Sequence, residues 1–347
     1  MGKKILVVDD DRLSRELLVG FLTKEKYTVL EAASAGEARV LIYKEKPDLI
    51  LLDVMMPGED GFSFCSYVKK KWQEPFLPVI LITALNDRQS KLQGLRAGAD
   101  DFLSKPVDTI ELMIKVRNML KIRELHANLY NELVFARRVQ ENLFFAENHL
   151  QPQDKLFYRP CRPVGGDLIE TWEQPDSRWA LLADAAGHGP SAALIATAVK
   201  ALIDKKCQDP ALLLDRLNRK LCSLLANEDT AYYVTAICTK IEEEKISFAG
   251  AGHPPCLLKS RGRVRQLPSQ GMPLGISTGI TFEKGIAFYQ PGDSLLLYSD
   301  GLFDILNEQE LKEMLLLSDQ EEFHLSLLAK INSCKPQDDI SFLLLNL

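Results

Sequence analysis

Over the first third of the chain, short apolar runs alternate with amphipathic stretches: residues 5–8, then 49–52 behind Pro47 and Asp48, then 79–83. Apolar runs of this length separated by helical patterns predict βαβ units around a buried parallel sheet, so this segment is expected to be doubly wound α/β. From Asp108 to Leu150 there is neither Gly nor Pro, while Leu112, Val116, Met119, Leu125, Leu129, Leu133, Ala136, Val139 and Leu143 recur at helical spacing. That predicts one long helix with a continuous apolar seam. Beyond Pro152 the texture changes to strand-like runs at 179–182, 232–239, 245–248, 294–298 and 340–345, with helical patterns at 191–205, 210–225 and 320–333. This third segment is expected to be α+β with many antiparallel strands. The expected division is 1–121 for the first domain, 122–150 for a helical linker and 151–347 for the second domain.

A chain of 347 residues exceeds the ~250 to 300 residues that one hydrophobic core organises, which agrees with two domains. No apolar run approaches the ~18 residues of a membrane span, and the Met1-Gly2-Lys3-Lys4 start runs straight into a strand pattern with Leu6 where a myristoylation signal has Ser or Thr. A cytoplasmic protein without signal peptide or membrane contact is expected. Seven cysteines are scattered without a Cys-x-x-Cys pair, as expected of reduced thiols, so a metal would be held by oxygen. A net charge of -6 argues against nucleic acid as a partner, because such binding rests on clustered Lys and Arg. The runs Lys69-Lys70-Lys71 and Arg137-Arg138 are expected to be solvated helix faces.

In an open parallel sheet, functional residues gather at the carboxyl ends of the strands. Asp9 and Asp10 end the first apolar run, Asp53 the next and Thr83 the one after, while Lys105 follows Asp101-Phe102-Leu103-Ser104. Carboxylates so close repel one another unless a divalent cation neutralises them, and the lysine adds positive charge for an incoming phosphoryl group. Such a rim suits phosphate transfer to a carboxylate, with Asp53 as nucleophile. The acidic pair, the Leu52-Asp53-Val54-Met55-Met56-Pro57-Gly58 turn, Thr83-Ala84 and Lys105-Pro106 resemble the receiver domain of two-component response regulators. That resemblance implies a five-stranded parallel sheet with Asp53 phosphorylated by a cognate histidine kinase. It also implies Mg²⁺ held by Asp9, Asp10, Asp53 and the Met55 carbonyl, Thr83 and Lys105 on the phosphoryl oxygens, and Phe102 at the aromatic switch position.

A second set of acids lies in turn contexts: Val164-Gly165-Gly166-Asp167, Ala183-Asp184-Ala185-Ala186-Gly187-His188-Gly189, Ser299-Asp300-Gly301 and Gln337-Asp338-Asp339. A single Asp-Gly marks an ordinary turn, but four acidic sites in turn contexts, three of them with glycines close by, bring backbone and carboxylate oxygens close to an ion. Oxygen-only ligands suit Mg²⁺ or Mn²⁺, and two such ions held side by side activate water for attack on phosphorus. The order and spacing, with the 136–140 helix end, Ala249-Gly250-Ala251-Gly252-His253-Pro254-Pro255, Met272-Pro273-Leu274-Gly275 and Pro291-Gly292-Asp293, resemble the PPM superfamily of metal-dependent phosphatases in its bacterial sporulation and stress-response branch. That resemblance implies an αββα sandwich with two Mn²⁺ or Mg²⁺ ions. Asp184 would bridge the ions, the Ala185 carbonyl and Asp167 would serve one, and Asp300 with Asp338 the other, the tandem Asp339 leaving the register open. His188 would either protonate the leaving serine oxygen or only shape its glycine loop.

The same resemblance implies a serine/threonine phosphatase controlled by the receiver. Its expected substrate is a phosphoserine of an anti-sigma factor antagonist of the STAS fold in a partner-switching pathway. The alternative is a catalytically weak phosphatase-like module that sequesters its partner. Two departures bear on substrate fit: Leu168-Ile169-Glu170 stand where the family has aromatics, and Ala183, Ala185 and Ala186 flank Asp184. The apolar seam of the long helix leads to the expectation of a homodimer.

Overall fold

The computed structural model describes residues 2–72, 76–84, 88–226, 232–334 and 336–347, which fall into two compact units, Met1–Glu132 and Leu133–Leu347. In the first unit the apolar runs are strands: β1 (Lys4–Val8), α1 (Arg12–Lys24), β2 (Thr28–Ala32), α2 (Ala35–Glu45), β3 (Leu49–Asp53), α3 (Gly61–Lys71), β4 (Val79–Thr83), α4 (Arg88–Arg96) and β5 (Asp101–Ser104) alternate before α5 (Thr109–Phe145). The strands form one sheet in the order β2-β1-β3-β4-β5, parallel throughout. β3 and β4 are buried along their whole length, which is why they read as nearly unbroken Leu, Ile and Val.

Side chains alternate across the sheet. Leu6, Val8, Ile50, Leu52 and Leu81 pack with Ile42 of α2 and Phe64 and Val68 of α3. On the other face, Ile5, Val7, Leu51, Ile80 and Ile82 pack with Leu18 and Leu22 of α1 and Leu112 and Val116 of α5. Each fully buried Leu or Ile contributes about 1.5–3 kcal/mol. Asp11, Ser34 and Asp60 cap α1, α2 and α3 by accepting backbone N–H bonds. Capping therefore occupies Asp11 and sets it apart from the neighbouring acidic pair.

The long helix exists, but it stops at Phe145 rather than continuing to Leu150. Its seam is not continuous either. Leu112, Val116 and Leu120 are buried in the first unit's core and Phe144 in the second's, whereas Leu125 and Leu129 between them are 60% and 56% exposed. After Phe145 the chain pairs within the same unit with the strand Asp167–Gln174: the Thr171 N–H donates to Asn148 Oδ1 (2.9 Å), and the His149 N–H to the Thr171 carbonyl (3.4 Å).

The second unit contains β6 (Lys155–Arg159), β7 (Asp167–Gln174), β8 (Ser177–Ala185), α6 (Pro190–Leu202), α7 (Pro210–Leu225), β9 (Val234–Glu242), β10 (Lys245–Ala251), β11 (Cys256–Ser260), β12 (Arg263–Leu267), β13 (Gly285–Phe288) and β14 (Ser294–Tyr298). A 3-10 helix (Asp300–Asp304), α8 (Glu308–Leu317), α9 (Gln320–Ser333) and β15 (Ile340–Asn346) complete it. Two five-stranded antiparallel sheets, β13-β10-β9-β8-β7 and β12-β11-β14-β15-β6, face each other across Ile169, Leu182, Ile237, Leu258, Leu297 and Leu343. Val199 of α6 and Leu214 and Leu217 of α7 cover the outer face of the first sheet. Leu311 of α8 and Phe323 and Leu327 of α9 cover the second. The result is four layers, αββα. Among the described residues no helix is long and apolar enough to cross a membrane.

Candidate functional site

At the rim where β1, β3, β4 and β5 end, Asp9 and Asp53 are buried at 1% and 4% exposure, and Asp9, Asp10 and Asp53 each bring a carboxylate oxygen within 4.8 Å of the others. Lys105 Nζ lies 3.0 Å from Asp9 Oδ2 and 3.1 Å from Asp53 Oδ2. Burial, then the Asp9 charge, raises the Asp53 carboxyl above the usual range, with Lys105 opposing. Burial works against the Lys105 charge, but its hydrogen bonds to Asp9 and Asp53 outweigh this and hold the ammonium above its ordinary pKa. Thr83 is buried at the end of β4, and its carbonyl accepts the Lys105 N–H at 2.8 Å. Met55 is exposed on the following turn, with its N–H directed at Asp53. The rim thus gathers Asp9, Asp10, Asp53, Thr83 and Lys105, and its three convergent carboxylates fit a divalent cation.

The second cluster is built from both sheets. β7 and β8 pair with Asp167 opposite Asp184. Gly166 is required beside them, because a Cβ there would stand 2.9 Å from the Ala185 carbonyl oxygen. Asp167 is 1% exposed, and neither of its carboxylate oxygens has a hydrogen-bond partner among the described residues. Burial, then Asp184 and Asp339, holds its carboxyl well above the usual range. Asp184 is pushed up to about 8 by burial, then by Asp300 and Asp338, and Asp300 is raised by burial and by Asp338. An unpaired buried carboxylate amid like charges is unfavourable by several kcal/mol. Divalent cations remove that penalty, and the all-oxygen donor set fits Mg²⁺ or Mn²⁺.

The two acids of the tandem have different environments. Asp339 is buried, with Oδ1 accepting the Cys161 N–H (2.7 Å) and Oδ2 the Gly166 N–H (2.6 Å), so it clamps the glycine loop that carries Asp167. Asp338 is much less buried, and one of its oxygens accepts the Asp339 N–H at 2.8 Å. Gly301 lets the two segments meet, since a Cβ there would fall 2.1 Å from the Asp339 carbonyl oxygen.

Three residues have supporting roles that the sequence reading did not assign, although Gln140 lies in the 136–140 helix end cited there. Asp304 Oδ2 accepts the N–H groups of Gln337 and Asp338, and its only signal was its place four residues after Asp300. Buried Gln140 of α5 donates from Nε2 to the Gly165 carbonyl (2.8 Å) and accepts the Gly165 N–H (3.4 Å). Cys161 brings its sulfur within 4.8 Å of Asp338 and Asp339 oxygens, and burial beside Asp339 pushes the thiol up to about 12, keeping it protonated.

His188 is exposed on the turn between β8 and α6, while the Ala186 N–H in that turn donates to the Tyr233 carbonyl at 2.9 Å. Glu170, one of the residues that depart from the family's aromatics, is fully buried. It pairs with Lys200 of α6 and, at 2.8 Å, with Lys205, and so faces the helix layer.

Known families account for both halves of the chain. The model of the response regulator receiver domain matches residues 5–117, and that of stage II sporulation protein E (SpoIIE) matches residues 174–347, half of the chain. The chain belongs to the SpoIIE family. It joins an N-terminal receiver domain to a phosphatase domain of that type. The SpoIIE match begins seven residues after Asp167, so the place of that residue rests on its strand pairing with Asp184. Response regulator PleD of Caulobacter vibrioides is 41% identical over 139 residues, 40% of this chain and 31% of PleD, so the chain spans about a third of that relative. The SiaA-PP2C domain of Pseudomonas aeruginosa superposes with a TM-score of 0.55 at 23% identity, over 63% of this chain and 97% of that domain, a likeness of fold.

Proposed function

We propose that the protein is a response regulator in which phosphorylation of Asp53 controls a Mn²⁺- or Mg²⁺-dependent protein serine/threonine phosphatase. The observation that carries the catalytic half is the buried, unpartnered carboxylate of Asp167 paired in register with Asp184 amid Asp300 and Asp338. When bound, two divalent ions supply charge neutralisation and water activation for phosphate ester hydrolysis. Asp184 would hold both, Asp167 and the Ala185 carbonyl one of them, and Asp300 and Asp338 the other. Asp339 and Asp304 position this set through backbone N–H groups. His188, exposed beside the set, retains both of its roles, proton donor and loop former.

In the receiver, Asp53 would take the phosphoryl group, with Asp9, Asp10 and the Met55 carbonyl on Mg²⁺ and Thr83 and Lys105 on the phosphoryl oxygens. The donor would be a cognate histidine kinase. Family resemblance supports a phosphoserine on a STAS-type anti-sigma factor antagonist as substrate, in the cytoplasm. The proposed domains are 1–121 and 151–347 around the helical linker. The test of the catalytic reading is release of phosphate from a phosphoserine peptide. Turnover is expected with Mn²⁺ or Mg²⁺, loss on chelation, and indifference to thiol-blocking reagents. Metal-independent turnover would contradict the assignment, and binding without turnover would favour a sequestering module.

Control would run through α5. It contributes Leu112 and Val116 to the receiver core, and its Gln140 grips the Gly165 backbone next to Asp167. A helix that holds a metal loop biases the site if it has two arrangements that the phosphoryl group distinguishes. The exposed Leu125 and Leu129, with Val139 and Leu143 at 43% and 48% exposure, would pair with a second copy as a coiled coil, since apolar surface left in water is unfavourable by about 25 cal/mol per Å². Changing Leu125 and Leu129 to Glu is expected to halve the mass measured by light scattering. An unchanged dimer mass would reject the helix as the contact.

A further inference from the structure

The sandwich has an open side on which both sheets end in an edge strand, β12 in one and β13 in the other. Edge strands present unpaired backbone N–H and C=O groups that template an added strand. Arg261 at φ 51° and Gly262 at φ 69° form the tight turn from β11 into β12, with Ser260 opposite Arg263. Arg263 and Arg265 therefore lie on one face of the strand, about 7 Å apart. Further along that face Leu267 is buried between the sheets, while Val264 points the other way onto the α8–α9 layer. The arginines consequently stand at the mouth of the gap between the sheets.

Arg265 donates to the Phe288 carbonyl on the opposite edge, and Arg261 Nε to Gln290 Oε1 at 3.3 Å. All three arginines are exposed, and among the described residues none has a carboxylate partner. They line a cavity of about 680 Å³ together with Val264, Phe288 and Gln290, and Phe288 is 66% exposed.

Three uncompensated positive charges on one edge stand out in a chain of net charge -6. Guarding the edge against pairing explains charges on β12. It does not explain an exposed phenylalanine and a cavity beside them. We propose that this groove docks an acidic, extended segment of a partner protein, added as a strand to β12 with carboxylates at alternate positions facing Arg263 and Arg265 and an apolar residue against Phe288. β11 runs from the Gly252-His253 turn toward Ser260, so the groove lies at the strand ends away from the carboxylate cluster and works independently of it. Three arginines neutralise too few phosphates to hold nucleic acid against the overall negative charge.

The test uses the full-length protein and a fluorescein-labelled peptide of roughly ten alternating Glu and Val residues, read by fluorescence anisotropy. Saturable binding is expected, weakened about tenfold or more by Arg263→Glu with Arg265→Glu and by raising salt to about 0.5 M. Arg263→Gln with Arg265→Gln is expected to weaken it in the same direction, which keeps the test valid if the charge reversal does not fold. Equal binding by the double-Gln variant, by a Lys-Val peptide or by an oligothymidine would overturn the proposal. So would undiminished binding of the Glu-Val peptide with N-methylated backbone, which cannot pair with an edge.

Discussion

Replacing Asp184 by alanine is expected to lower metal-dependent phosphate release by about 10²–10³-fold or more, because it removes the carboxylate proposed to hold both ions. Asp184 sits opposite Asp167 in the β7–β8 ladder and is raised to about 8 by burial and then by Asp300 and Asp338. The tandem acids make the test sharper. Asp338→Ala is expected to lose turnover of similar order with a smaller drop in melting temperature, since it frees one backbone N–H, that of Asp339, rather than two. Asp339→Ala leaves the buried Gly166 N–H and the Cys161 N–H without an acceptor and is expected to destabilise the domain by about 1–3 kcal/mol for each unpaired group. Near-normal turnover in Asp184→Ala would refute the two-ion assignment. A melting temperature unchanged in Asp339→Ala but lowered in Asp338→Ala would reverse the roles within the tandem.

Asp53→Ala is expected to abolish labelling of the protein by a small phosphodonor such as acetyl phosphate in the presence of Mg²⁺. The reaction forms a bond between an Asp53 carboxylate oxygen and phosphorus while the bond to the donor's oxygen breaks, and Lys105, in contact with both Asp9 and Asp53, offsets the charge of the incoming group. Asp9 and Asp10 lie beside Asp53 as the proposed cation-facing pair, so neither is expected to substitute as acceptor. Acid-labile label persisting on the alanine variant would move the phosphoacceptor elsewhere. The same sample scanned for Asp10→Asn is expected to show labelling reduced rather than absent, since one cation-facing carboxylate is removed and the nucleophile remains.

The receiver was legible because its strands are buried on both faces: 5–8, 49–52 and 79–83 are written almost entirely in Leu, Ile and Val, and acids follow the first two directly while the third ends in Thr83. The second domain hid several strands for reasons the structure supplies. β7 begins with Asp167 and contains Glu170, whose burial is balanced by Lys200 and Lys205, so a strand buried over its first six residues reads as polar. β12, Arg-Val-Arg-Gln-Leu, reads as a loop because it is an exposed edge. The seam of α5 looked uniform because spacing alone does not distinguish residues facing a core, such as Leu112 and Phe144, from residues facing solvent, such as Leu125. Asp167, Asp184 and Asp300 were visible from the glycines near them, and Asp338 and Asp339 from their tandem. The roles of Gln140 and Asp304 were not, since each acts by a hydrogen bond to backbone 25 or more residues away.

The central claim is that the phosphorylation state of Asp53 sets the activity of the phosphatase domain. Its most direct measurement is the rate of phosphate release from a phosphoserine peptide by the full-length protein with and without a small phosphodonor, with Asp53→Ala run in parallel and labelling of the wild type quantified in the same sample. A coupling free energy of ~1–3 kcal/mol predicts a change of about 5 to 150-fold, an increase, in the wild type and none in the variant. Equal rates in fully labelled and unlabelled wild-type protein would contradict the account, leaving a receiver and a phosphatase that share a chain without control of one by the other.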